Sequence, residues 1–257
     1  MSNVIPPRPD GPAPVPVPPM PSGTDRPKAT WRWWEALLVY LGITLVASLV
    51  TLPLFRLIRS KGLVELVASL LSALVIIGLL VLWLRASHPG WERAIGFPKR
   101  LWPEVRAGLG FGLLLYPVVT LGVGLIVTML LQVVSGHTVR SPRQIPPHLS
   151  AVGVTVSVVY AVLVAPIHEE LFFRGILFRS LRDRYGFWVG ALGSGAAFGL
   201  IHYLPAPWFD SLLLMLVMVF TGFALAYLYE RRGNIVANMV AHAMFNVVGM
   251  VLILVFR

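Results

Sequence analysis

Cysteine is absent from this chain of 257 residues, and charge is scarce: charged residues make up 12% of it, against about 25% in an ordinary soluble domain. Without a thiol, disulfides, thiolate metal centres and a cysteine nucleophile are excluded. So little charge cannot cover a water-facing surface. A hydrophobic content of 57% and a mean hydropathy of +0.79 place the chain in a lipid bilayer. Acids are fewer still, with 11 Asp and Glu against 21 Lys and Arg, a formal net charge of +10. The basic residues lie in short loops between apolar runs, as orientation signals do, so nucleic-acid binding is not expected. The first residues also lack the basic and apolar regions of a cleavable signal peptide. No HExxH zinc motif occurs anywhere.

The first 30 residues hold 10 of the 21 prolines, and the stretch PPRPDGPAPVPVPPMP reads as an extended, disordered cytosolic tail. Beyond it, seven apolar runs are long enough, or nearly so, to cross ~30 Å of hydrocarbon. They cover about 36–58, 63–84, 107–134, 150–170, 187–204, 211–229 and 234–256. The expected fold is therefore all-α, a polytopic transmembrane helix bundle of about seven spans, with six to eight compatible. The units are a tail at 1–30, N-terminal helices and a basic loop at 31–104, and a helical core at 105–257. Tryptophans of the WRWW cluster (31–34) and Trp83, Trp91, Trp102, Trp188 and Trp208 fall near span ends, where indoles favour the interface. With the N-terminus cytoplasmic, inside segments collect 14 basic residues and outside segments 6, with Arg174 left out as intramembrane. The pairs Gly108/Gly112, Gly186/Gly190 and Gly195/Gly199 predict close helix contacts.

Against this background APIHEELFFRG (165–175) stands out, because an ionised side chain in hydrocarbon costs at least ~2.5 kcal/mol and defaults to a functional reading. Glu170 and Arg174 are four apart and pair along their helix. Glu169 is rotated by about 100° from Glu170, so one carboxylate is held while the other is free for chemistry. Two later runs add His202, and His242 with Asn246 at i and i+4. Counted at ~1.5 Å per residue from the basic ends, Glu169 lies ~20 Å deep, His202 ~21 Å, His242 ~12 Å and Asn246 ~18 Å. Three helices thus bring polar groups to similar depth, as one site would. His168 belongs either to that site or to a kink after Pro166, and Glu65 reads as interfacial.

These residues resemble a known family. EELFFRG fits an EExxxR motif, FGLIH an FxxxH motif and HAMFN an HxxxN motif. In this order they are the motifs of the CAAX-protease and bacteriocin-processing (CPBP, or Abi) intramembrane proteases, which include the type II CAAX endopeptidases. The resemblance covers roughly residues 105–250. It implies an integral protein of a bacterial inner membrane that hydrolyses a peptide bond of a prenylated or other membrane-associated peptide or protein. It further implies Glu169 as general base on a water, assisted by His202. His242 and Asn246 would stabilise the oxyanion or orient the scissile carbonyl, and Glu170 with Arg174 would fix the geometry.

Two questions stay open at this level. Glu169, His202 and His242 could ligate Zn2+ or another divalent metal with one position free, but a metal-free mechanism is equally compatible. Function also has rivals: a non-catalytic scaffold or immunity protein using the same cavity, or a proton-coupled transporter. The transporter reading lacks a matching repeat in the first half of the chain.

Overall fold

The computed structural model describes residues 26–142 and 150–255, with Lys61 described by its backbone alone. Most of the expected tail, together with Arg143, His148 and Arg257, lies outside the described residues. All regular structure among them is helical. Helix α1 (Trp33–Thr51) and the turn α2 (Leu54–Leu57) are followed by α3 (Lys61–Ser87) and the short α4 (Trp91–Ile95). Helices α5 (Leu101–Pro117) and α6 (Gly124–Ser135) are joined by a π-wound segment, Val118–Val123. Next come α7 (Ala151–Val159), α8 (Ala165–Glu170) and α9 (Arg179–Leu200), joined by π-wound segments Tyr160–Val164 and Leu171–Phe178. Helices α10 (Trp208–Arg232) and α11 (Ile235–Val255) complete the chain.

Six helical stretches are long and apolar enough to cross a membrane. One of them, Ala151–Leu200, has 50 residues and would reach ~75 Å if straight, far more than a bilayer. It reverses at Gly186, where φ is 85°, a backbone conformation that glycine adopts without a Cβ clash. Divided there, the bundle has seven arms, in agreement with a polytopic fold of about seven spans. The segment between the expected runs 150–170 and 187–204 is nonetheless helical as far as that break. The expected run 187–204 is also helical only to Leu200.

Glycines set the closest contacts. Gly108 and Gly112 of α5 face the Ala237 and Ala241 carbonyls of α11, and a Cβ at either position would collide with that backbone. Gly195 and Gly199 of α9 meet α10 at Val219 and Gly222 in the same way. Both pairs behave as expected. Gly186 does not: it makes the reversal, and Gly190 packs on Arg182 of the arm before it. Gly112→Leu should destabilise the bundle by ~1–3 kcal/mol, because overpacking must push α5 off α11. Denaturant unfolding in detergent measures this, and unchanged stability would contradict the close contact.

The boundary of the expected tail also moves. Residues 26–32 form a strap docked on the start of α9. Ala29 N–H donates to Asp183 (2.8 Å), and Arg179 donates to the Arg26 and Pro27 carbonyls. Trp31, expected at the membrane interface, is 0% exposed and donates its indole N–H to the Ile176 carbonyl at 2.9 Å. The buried Arg179–Asp183 pair supplies the polar partners that draw this segment down. By contrast Trp102, Trp188 and Trp208 are exposed, as interfacial indoles would be.

Candidate active site

Pro166 has no N–H for the helical ladder, and the winding immediately before α8 is of the wide π type. A second π-wound segment follows Glu170 directly. Such wide turns are frequent at functional sites. Here they bracket the six residues of α8 that carry His168, Glu169 and Glu170.

The two adjacent carboxylates part as their angular offset predicts. Glu170 is 0% exposed and fully engaged. Its Oε1 accepts from Arg174 Nη1 at 2.7 Å and from His242 Nδ1 at 2.8 Å, and its Oε2 accepts from Asn238 Nδ2 at 3.2 Å. Arg174, also fully buried, donates its Nη2 to the Gly222 carbonyl and lies 4.4 Å from the centroid of the Phe198 ring. Glu169 keeps its carboxylate free. Its side chain is 13% exposed, with Oε2 3.9 Å from His242 Nε2 and Oε1 4.0 Å from His168 Nε2. Oε2 is buried without a hydrogen-bond partner among the described residues.

Both motif histidines are fixed as one tautomer. A carboxylate or a carbonyl only accepts, so the ring nitrogen facing it must carry the hydrogen. His242 Nδ1 therefore donates to Glu170, and His202 Nδ1 donates to the Phe198 carbonyl at 2.7 Å. In the neutral rings this leaves the Nε2 atoms as acceptors. His202 was expected within a helix; it follows the C-terminal end of α9 at Leu200, and its side chain satisfies a carbonyl that the ending helix leaves open. Asn246 donates to the Ala161 carbonyl in the first π-wound segment at 2.6 Å, so one of its two amide hydrogens is committed to holding that wide turn.

Glu169, His202, His242 and Asn246 all line one cavity of about 760 Å³, with Tyr160 and Tyr116 across from them. The sequence-predicted residues are thus brought together, Glu170 and Arg174 behind the wall and the others on it. His168 lies beside Glu169 and belongs to the site's surroundings. One contributor, Asn238, escaped the sequence reading. Asn238 is completely buried and bonds Glu170 and the Leu225 carbonyl; it precedes His242 by one turn of the same stripe, a signal available from spacing. Phe198 packs against His202, His242 and Arg174 at once, so the aromatic of the FxxxH motif joins all three motifs. Among the described residues no group of three His, Asp or Glu side chains is spaced to hold an ion.

The fold and site together define a helical membrane protein with a buried constellation of carboxylates and imidazoles. Residues 151–248 match a family described as "Type II CAAX prenyl endopeptidase Rce1-like", and all three motifs singled out in the sequence lie within the matched stretch. It contains α7 to most of α11 and leaves out the strap and α1 to α6. A curated protein of Bacillus subtilis (strain 168), named "Putative membrane peptidase YdiL", is 32% identical over 93 residues, 36% of this chain. The match spans about a third of that relative, 35% of its length. No solved structure matches this chain.

Proposed function

We propose that this chain is an intramembrane endopeptidase in which Glu169 activates a water. The observation that carries the reading is the contrast between the two carboxylates: Glu170 is saturated with partners, and Glu169 turns a partnerless oxygen into the cavity. The water oxygen attacks the carbonyl carbon of the scissile bond, and its proton passes to Glu169 Oε2. His202 Nε2, an acceptor facing the same cavity, orients that water. As the C–N bond breaks, the proton moves from Glu169 to the leaving amine.

Negative charge develops meanwhile on the carbonyl oxygen. The uncommitted amide hydrogen of Asn246 is placed to meet it, and preorganised donors in a water-poor site are worth several kcal/mol. While charge builds, the proton taken by Glu169 is shared with His242 Nε2, 3.9 Å from Oε2, before it goes to the amine, and Glu170 stabilises the imidazolium from behind, as the orienting carboxylate of a catalytic triad does. The substrate is a membrane-associated peptide or protein, prenylated or not. The protein sits in a bacterial inner membrane with its N-terminus cytoplasmic, a placement supported by the distribution of basic residues.

The test compares peptide termini in membranes of source cells carrying wild-type chain or Glu169→Gln at equal protein level. Termini that vanish in the variant establish proteolysis and name the substrate; no dependent terminus removes the catalytic reading and favours a binding role for the cavity. A metal-free mechanism makes a separate prediction. Cleavage by the purified chain should be unaffected by a strong divalent-metal chelator, because Glu169, His202 and His242 are not spaced as ligands. Loss of activity on chelation, with recovery on adding Zn2+, would overturn it.

A further inference from the structure

A second recess lies on the outside of the bundle, at its basic end, away from the catalytic cavity. The reversal at Gly186 folds α9 into two arms, and α1, which packs on the π-wound segment Leu171–Phe178, faces them across a gap. Between them is a groove of about 370 Å³ whose walls are Trp33, Leu37, Leu181, Val189, Gly193 and Ala197. Gly193 and Ala197 form the shallow wall, since neither side chain extends into the space. The groove is almost wholly apolar along its length.

Its rim is different in kind. Trp33 Nε1 donates to the Tyr185 hydroxyl at 3.3 Å, which ties α1 to the first arm of α9 across the mouth. That contact leaves the Tyr185 O–H hydrogen free to donate outward. Arg32 and Arg184 immediately precede these two aromatic residues, and both are exposed, as is Lys28 on the strap. The acids on this side are already engaged. Asp183 pairs with Arg179 and Glu230 with Arg182, while Glu35 lies 3.4 Å from His88 Nε2 and accepts the Arg32 backbone N–H. An apolar slot therefore ends in the exposed cations Arg32, Arg184 and Lys28, none of which forms an ion pair among the described residues, capped by an amphipathic Trp–Tyr pair.

We infer that this groove is a binding site for an anionic glycerophospholipid, with one acyl chain lying between α1 and the two arms of α9 and the phosphate held by Arg32, Arg184 and the Tyr185 hydroxyl. Basic rims between membrane helices recognise acidic head groups, and each nearby Lys or Arg adds to that attraction. A zwitterionic lipid fits the slot equally well but gains nothing from the rim. The rim therefore supplies the selectivity and the slot the retention. The site is independent of the proteolytic reading.

Native mass spectrometry of the full chain, released from detergent after incubation with equal phosphatidylglycerol and phosphatidylcholine, reads this directly. The wild type should retain one phosphatidylglycerol with about tenfold preference. Arg32→Gln with Arg184→Gln, exposed changes that leave the core untouched, should retain one lipid and lose the preference. Ala197→Phe, which fills the slot, should lose the retained lipid. Equal retention of the two lipids by wild type overturns the inference, as does a preference that survives the double rim variant. Retention of a protein in place of a lipid also overturns it.

Discussion

Glu169→Gln should fold like the wild type and hydrolyse its substrate ~10²–10⁴-fold more slowly, the usual contribution of a positioned general base. The side chain keeps its shape but loses the capacity to take a proton. Glu169 makes no hydrogen bond among the described residues, and its nearest charged or chargeable neighbours are histidine nitrogens at 3.9 and 4.0 Å, so little structure depends on it. Glu170→Gln provides the contrast. It removes the charge that faces Arg174 and His242 in full burial, and it should lower stability and activity together. Rates normalised to folded protein, with unfolding curves of both variants, separate the two. The assignment of roles fails if Glu169→Gln cleaves at a near wild-type rate, or if Glu170→Gln is inactive with undiminished stability.

That one carboxylate is held and its neighbour is not was legible in the sequence because helical geometry is local. An offset of about 100° between neighbours, and a turn between Glu170 and Arg174, decide which carboxylate is held without any tertiary information. His242 and Asn246 share a face for the same reason, and Asn238 extends that stripe by one more turn. What was not legible depends on contacts between distant segments. The apolar run that carries His202 continues beyond Leu200, so hydropathy gives no sign that the helix stops and that the imidazole caps it. Trp31 reads as an interfacial indole until the Arg179–Asp183 pair, some 150 residues away, is seen to hold the strap over it. Gly186 looks like one more small residue for helix packing; the break between the runs 150–170 and 187–204 was legible, but not that helix continues up to this glycine and turns on it alone.

The buried Glu170–Arg174 pair yields the largest expected effect on stability. Arg174→Met should destabilise the protein by ~3–5 kcal/mol, the cost of leaving one member of a buried ion pair without its partner. More than a charge is lost. The guanidinium spans three elements, bonding Glu170 on α8 and the Gly222 carbonyl on α10 while resting on Phe198 of α9. Arg174→Lys should recover only part of the loss, because an ammonium cannot reproduce the planar fork that reaches two acceptors and stacks on a ring. The double variant Glu170→Gln/Arg174→Met removes the orphaned carboxylate and should be more stable than Arg174→Met alone. It should remain inactive, because His242 then loses the carboxylate that fixes its Nδ1 hydrogen and would balance an imidazolium. Unfolding by denaturant in detergent, followed on the three variants beside wild type, measures the order. A double variant no more stable than Arg174→Met would show that Arg174 acts by packing alone, and that the buried charge on Glu170 is not what makes its loss costly.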